Sequence, residues 1–491
     1  MNLLQRQGFF NSIILYAGTV LGFFNLFILF QRYLSAEEIG FFNLMVNGSV
    51  IYAQIASLGI SGVILKYFPY YRTQDKNHKG FVSFVLVLAL TGFIIFTILY
   101  LIFKGPVIAH YKDSKGVSLL IDYYNYLIPI SFLTLGFTVL ESMARVVFKN
   151  ILSAFLKEML LRLSTTIAVI LIAFLLIDFH DFLIIYLFAN VIITVVLWYS
   201  IFKDFKFSKI SGEIISDRKE LLNYGFFAVL GGGSFTLMQS MAVFMLTAFT
   251  DSLSNVGIYG TFFGMAVVIS LPARALGRTS YQIVAEAWVH NDLKKIDKIY
   301  YKTSVVQSLI GSLILIGLII NQRNLIYFLH KPAYAEHFDV FIVIGLAFLV
   351  DITGGLNGQI INLSKYYKFT TYLVAISVII CAFINFLLIP VFGILGAAIA
   401  YLITMLFLNI IYWSFIKIRF NIHPFGKAHL FIAGISLVCL ALGLYLPLLE
   451  NIYFDLIYRS AIVALLYSVL VYVFKVSEDI NSIVDKKLML S

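Results

Sequence analysis

Charge is what this sequence has least of. Asp, Glu, Lys and Arg make up 12% of the 491 residues, about half the share of a soluble globular domain. Cysteine is almost absent. Cys381 and Cys439 are the only two, and both sit in apolar runs, which excludes a disulfide framework and a cysteine-rich zinc site. Long polar stretches are missing too: no segment between apolar runs exceeds about 20 residues, so there is no soluble domain to hold a nucleotide. The chain has no GxxxxGK[ST] loop and no HExxH, and its eight His residues are scattered, mostly in loops. ATP hydrolysis, metal chemistry and a bound cofactor are therefore not expected, and no nucleophile triad suggests an enzyme. No cleavable signal peptide is expected either, because the first apolar run starts near Gly8 and is long enough to span a membrane.

What fills the chain instead is hydrocarbon. Hydrophobic residues are 61% of the total, with 47 Phe and 30 Tyr, and the mean hydropathy is +0.95. A bilayer is crossed by about 20 apolar residues in a helix. About fourteen such runs lie near 9–30, 39–65, 81–103, 119–146, 151–177, 181–202, 221–249, 256–285, 300–320, 339–362, 369–389, 394–418, 428–447 and 454–475. The expected fold is an all-α polytopic membrane protein. With the N-terminus in the cytoplasm, 25 of the 35 Lys and Arg fall on the cytoplasmic side and seven on the other, while Arg162, Arg274 and Arg278 lie within segments. That asymmetry puts both termini in the cytoplasm. It also accounts for the net charge of +10 without a nucleic-acid partner.

An internal repeat divides the chain. Gly8-Phe9-Phe10 and Ile39-Gly40-Phe41-Phe42 recur 217 residues later as Gly225-Phe226-Phe227 and Val256-Gly257-Ile258-Tyr259. Phe174–Ile177 matches Phe386–Ile389, and Ser200–Lys203 matches Ser414–Lys417, at nearly the same offset. Six spans per copy keep both copies in one orientation. Two six-helix lobes are expected, 1–210 and 211–425, followed by two C-terminal helices and a tail in 426–491. The segment Lys203–Glu220 links the lobes. Transporters built from such repeats bind substrate between the halves.

A few charges fall inside the apolar runs, where each costs roughly 2.5–3.5 kcal/mol and faces a cavity or a partner. Asp351 is 12 residues from Asp339 and 14 from Lys365, or about 18–21 Å along a helix from either. It reads as an ion-coupling site, or as an acid that locks helix packing. Arg162 precedes 15 uncharged residues, about 22 Å of helix in a hydrocarbon core of about 30 Å. It sits within the inner leaflet, with Lys157 and Glu158 one turn before it. Arg145 follows Glu141 by four residues, the order that favours pairing. Arg274 and Arg278 share one helix face after Pro272, which fits a clamp for a phosphate or a pair of snorkelling anchors. Arg162, Arg145, Arg274 and Arg278 are the candidate anion-binding residues. Gly231-Gly232-Gly233 is a candidate flexible point.

Two stretches carry a family resemblance. Arg32–Pro69 (RYLSAEEIGFFNLMVNGSVIYAQIASLGISGVILKYFP) resembles the opening of polysaccharide-exporting flippases. Ile384–Thr404 (INFLLIPVFGILGAAIAYLIT) is similar to their second signature, an Asn followed by Pro-x-x-Gly-x-x-Gly-Ala-Ala. The family is the polysaccharide transporter (O-antigen flippase) branch of the multidrug/oligosaccharidyl-lipid/polysaccharide exporter superfamily. The resemblance implies outward transfer of undecaprenyl-pyrophosphate-linked oligosaccharide across the bacterial inner membrane, in polysaccharide or lipopolysaccharide biosynthesis. It implies a basic central cavity, a lipid-tail groove from the last two helices, and glycan polymerase and chain-length proteins as partners. This chain departs from some relatives in having no arginine within its first span, only Asn11, Asn25 and terminal Gln31-Arg32. Two other classes compete: an organic-cation exporter of the same superfamily, with an acidic aromatic cavity, and a membrane glycan polymerase, which needs a larger outward loop than this chain has.

Overall fold

A computed structural model describes residues 3–111, 117–147, 149–229, 234–476 and 481, with side chains described except at 3–12, 16, 234–236, 239, 274, 275, 278, 279 and 282. Every regular element among the described residues is a helix. The chain forms two compact units, Met1–Gly260 and Thr261–Ser491.

In the first unit, helix α1 (Leu3–Phe24) runs through a π-helical turn at Asn25–Leu29. Helix α2 (Ala36–Ala56) starts at a capping box in which Ser35 accepts from the Glu38 backbone and Glu38 from that of Ser35. It is followed by α3 (Ile60–Tyr71), α4 (Phe81–Tyr111) and α5 (Leu127–Val146). A second π-helical turn, Leu156–Leu160, leads into α6 (Leu161–Ala173), and α7 (Phe179–Ile201) follows. Helices α8 (Gly212–Ala228) and α9 (Ser234–Thr250) come last, and α10 (Leu253–Val267) begins in this unit and runs past Gly260 into the second. The core lies where Ile60, Ile64, Val82, Val85, Leu140 and Leu197 meet. Only 17% of the most apolar stretch of α4 is buried; Val87, Ile94, Ile98 and Ile102 point outward as a lipid-facing surface requires.

The expected linker is half helix. It turns helical at Gly212 and its acids tie α8 to α3 and to the turn before α4: Tyr67 donates to Glu220 at 2.8 Å, Tyr71 to Asp217 at 2.6 Å, and Lys79 of the turn pairs with Glu213 at 2.5 Å. Burial first, and the Glu220 carboxylate second, push the Tyr67 hydroxyl up to about 12, so it remains a donor throughout the physiological range.

The second unit holds α11 (Leu271–Val289), α12 (Leu293–Ile320), α13 (Gln322–Leu329), α14 (Phe338–Thr353), α15 (Asn357–Leu363), α16 (Tyr367–Phe420), α17 (Lys427–Tyr445) and α18 (Ile452–Val473). Ten helices among the described residues are long and apolar enough to cross a membrane, or eleven when α14 and α15 count as one bent span. The fourteen apolar runs are not each one unbroken helix, which is why the counts differ. The 54-residue α16 covers two runs and is interrupted at Gly393 (φ 56°, ψ −129°). The run near 151–177 contains a π-helical turn. The run near 221–249 crosses residues outside the described set, among them Gly231-Gly232-Gly233.

Arg459 is grouped by sequence with the outward loops, yet it is only 4% exposed and pairs with the fully buried Asp455. Its guanidinium also donates to the carbonyls of Ile320, Gly443 and Leu446, while Asp455 accepts from Asn324 and the Leu449 backbone. Every charge there is satisfied, which ties α18 to the ends of α12 and α17. Arg459→Ala strands a buried carboxylate, and a loss of about 3–5 kcal/mol of stability is expected, measured as the shift in thermal unfolding of purified protein.

Candidate functional site

In the first unit, Arg162 stands at the start of α6, among apolar residues. Its guanidinium bonds Glu158 one turn earlier at 2.7 Å and donates to the Gly18 carbonyl of α1. The Arg162 carbonyl accepts from Asn25 (2.9 Å), Thr165 (2.8 Å) and Thr166 (2.8 Å), and Asn25 in turn accepts from Thr166 at 2.7 Å. Asn25 thus clasps α6 from the π-helical turn of α1. A π-helical turn fails to close one backbone bond in the α register and is common at functional sites; here one lies on each helix, at 25–29 and 156–160.

The helices approach this closely because α1 carries glycines at the crossing. A Cβ on Gly22 would collide with the Arg162 guanidinium, and one on Gly18 with the Glu158 carbonyl. Gly18-Thr19-Val20-Leu21-Gly22 is a small-residue crossing motif of membrane helices. Sequence reasoning missed Gly18, Gly22, Thr165 and Thr166, and used Asn25 only to note that the first span has no arginine. The Gly-x-x-x-Gly spacing is the signal that was there to find.

Arg162, Glu158, Lys157, Asn25, Gly22, Thr165 and Tyr186 line a cavity of about 280 Å³. Arg162 and Glu158 retain 34% and 21% of their side-chain exposure, so the pair is accessible. Glu141 joins the neighbourhood, bonding Arg145 at 2.6 Å and lying 3.9 Å from Lys157. The cluster therefore holds three bases against two acids and keeps one positive charge in excess. Arg145 is 52% exposed and directed at Glu141. The larger cavity of this unit, about 610 Å³ between α2, α4 and α9, is lined mostly by apolar and aromatic groups such as Phe41, Tyr52, Phe96, Tyr100 and Phe244, with no charged side chain among the described lining residues. Its described lining suits hydrocarbon.

In the second unit, Asp351 lies near the end of α14, just before a 43° bend into α15. The break is made by Gly354 and Gly355, the latter at φ +65°. Asn409, on the second leg of α16, faces Asp351 at 3.5 Å and accepts from Asn357 at 2.6 Å. The polar side chains thus gather at the break, Asp351 beside two amides. Arg274 and Arg278 lie on α11, which begins at Leu271 with Pro272 in its first turn; their side chains are outside the described residues. Asp178, His180 and Asp181 bring ligand atoms within 4.8 Å of one another, but Asp178 and Asp181 cap α7 and the group is exposed.

A family profile described as polysaccharide biosynthesis protein matches residues 4–278. No curated protein sequence matches the chain. Among solved structures, the lipid II flippase MurJ in an inward closed conformation is similar over 94% of this chain and 98% of that one, with a TM-score of 0.76 and 14% identity. An inward-facing multidrug resistance MATE family transporter of the MOP superfamily is similar over 82% and 94%, with a TM-score of 0.65 and 14% identity. An outward-facing MATE family transporter gives 84% and 95%, with a TM-score of 0.56 and 15% identity. At these identities the likeness is one of fold.

Proposed function

Because this chain belongs to the polysaccharide biosynthesis protein family and has a flippase-type fold, we propose that it is a flippase for undecaprenyl-pyrophosphate-linked oligosaccharide at the bacterial inner membrane. In this reading the termini are cytoplasmic, residues 1–210 and 211–425 are the two lobes, and alternating access moves the substrate outward. The observation that carries it is the accessible, net-positive cluster around Arg162, built into a crossing of apolar helices. A pyrophosphate brings two or more negative charges, and a guanidinium meets phosphate oxygens with paired donors. The glycan follows the headgroup while the polyprenyl chain stays in the bilayer. In the same reading Arg274 and Arg278 of α11 also meet the anion on its path, and Arg145, paired with Glu141, stands at the edge of the Arg162 cluster. Under an inside-negative potential, outward movement of an anion gains about 2.3 kcal/mol per charge per 100 mV. Polymerase and chain-length proteins would act on the exported product.

Substituting both Arg274 and Arg278 with Ala tests the path. Export of lipid-linked glycan at matched expression is expected to fall about tenfold, as when a charge-assisted bond is lost; undiminished export removes both residues from it.

A second reading, an organic-cation exporter, draws on Asp351 and on the fold shared with MATE transporters. Asp351→Asn separates the two. If Asp351 couples an ion to glycan movement, the variant still folds, keeps its contact with Asn409 and exports glycan with no response to collapse of the proton or sodium gradient. A wild-type response excludes it as the coupling group. Transport of a free organic cation, lost in this variant, favours the second reading.

A further inference from the structure

The break between α14 and α15 is gripped by a set of polar groups that the transport reading does not use. Thr353 closes α14, so its carbonyl is one of those that a helix end leaves without an intrahelical partner. The hydroxyl of Ser304, on α12, donates to that carbonyl at 2.6 Å. Ser304 is fully buried. The turn after Thr353 passes close over it, and a Cβ on Gly355 would stand 3.1 Å from the Ser304 Cβ.

A serine hydroxyl has one hydrogen to donate, and Ser304 uses it on Thr353. At the second contact of the same oxygen, 2.8 Å from His429 Nε2, the imidazole is therefore the donor. The other ring nitrogen, Nδ1, accepts from the Gly426 backbone at 3.3 Å, and the His429 backbone donates to the Gly426 carbonyl at 3.1 Å. Those two bonds fix the ring as the tautomer with its hydrogen on Nε2. It meets the rings of Tyr301 and Phe425 edge-on, with centroids 6.2 and 5.4 Å away. The bonds run in one direction, from Gly426 at the start of α17 through His429 and Ser304 to the end of α14.

We propose that His429 is a positioning residue for Asp351: through Ser304 it holds the broken end of α14, so that α17 sets the orientation of the carboxylate. The proposal rests on the reading of Asp351 as an ion-coupling group. Asp351 stands two residues before Thr353, in the last turn of α14. One stretch of backbone carries both the Asp351 carboxylate and the Thr353 carbonyl, so a rotation of that turn moves them together. Asn409 of α16 reaches Asp351 and Asn357 across the break, while Ser304 and His429 hold the Thr353 carbonyl from α12 and α17. Packing alone would keep α17 against α12. A directed chain of hydrogen bonds also fixes which way the end of α14 faces.

The test uses the full-length protein with Cys381 and Cys439 replaced by Ser. Leu346→Cys on α14 and Asn362→Cys on α15, both at exposed positions, carry spin labels on the two sides of the break. The label distance is measured in nanodiscs. Export of lipid-linked glycan, and its response to collapse of the proton or sodium gradient, is measured in cells making the same variants without labels. His429→Ala and Ser304→Ala should each broaden the distance distribution and weaken the gradient response about fivefold, the size of one hydrogen bond. Ser304→Ala removes a single oxygen and keeps the test decisive if His429→Ala does not fold. His429→Gln, whose amide offers both a donor and an acceptor, should restore both readouts. The double Ala variant should be no worse than either single one, because the two residues act in series. Unchanged distances in both Ala variants overturn the proposal, and so do additive losses in the double variant. Altered distances with a wild-type gradient response reduce the chain to a structural brace and overturn its role towards Asp351. A wild-type response in Asp351→Asn is a different failure, that of the coupling reading; it removes Asp351 as the group being positioned, while the label distances still decide whether His429 and Ser304 hold the break.

Discussion

Arg162→Ala is expected to lower export of lipid-linked glycan by about 10- to 100-fold, the range set by a charge-assisted hydrogen bond of about 1.5–3 kcal/mol. Two consequences of the substitution must be separated. The guanidinium is lost to the substrate, and Glu158 is left without its ion-pair partner at 2.7 Å. The Arg162–Glu158 pair is partly exposed, so its contribution to stability is modest beside that of the enclosed Arg459–Asp455 pair. Thermal unfolding of Arg162→Ala should therefore stay close to wild type while export collapses. Adding Glu158→Ala removes the stranded carboxylate. If export recovers in the double variant, Arg162 served only to neutralise Glu158 and has no role towards an anion. Arg162→Lys should give an intermediate rate, because an ammonium keeps the charge and loses the paired donors.

Gly40→Val is expected to have an effect of similar size by a different route. Gly40 and Gly257 stand 217 residues apart, at matching positions of the repeat expected from the sequence, and the helices bearing them touch there. A Cβ on Gly40 would strike the Leu253 carbonyl, and one on Gly257 would strike that of Ala36. Overpacking of this kind costs about 1–3 kcal/mol or a displacement of the helices. If alternating access requires the ends of α2 and α10 to close together, Gly40→Val holds them apart and slows export about tenfold. The displacement is read directly in a protein with Cys381 and Cys439 replaced by Ser and Leu44 replaced by Cys. Labelling of position 44 by a membrane-impermeant maleimide should rise in Gly40→Val. Unchanged labelling together with unchanged export would show that the contact is not a closing surface.

Much of this was legible in the sequence, and the reasons for the rest are physical. Apolar runs report where helices lie because each must satisfy its own backbone in lipid. The signature Pro390-x-x-Gly393-x-x-Gly396 marks the interruption of α16, since the backbone at Gly393 adopts φ 56°. The spacing of Glu158 and Arg162 was visible as four residues along a helix. Its partner glycines on α1 were not, because Gly18 and Gly22 lie more than 130 positions away and only packing brings them together. Arg459 was misread for a related reason. It stands near the start of an apolar run, where a loop charge and a fully bonded interior charge look the same in one dimension. Loop counting has no access to the carbonyls of Ile320, Gly443 and Leu446 that receive it. The π-helical turns have no composition of their own and were invisible.

Those turns have a consequence for how the chain can change length. A π-helical turn is a helix with one residue inserted and absorbed locally. Removing one residue from within 25–29 would restore an ordinary α register there without turning the rest of α1, and the same holds for 156–160. Anywhere else in these helices a one-residue deletion rotates everything beyond it by about 100° and carries lipid-facing side chains inward. Related chains that differ by a single residue in this region should therefore place the gap inside one of these five-residue windows. Such chains would keep their membrane helices and lose the Asn25 clasp, the Glu158 seat, or both.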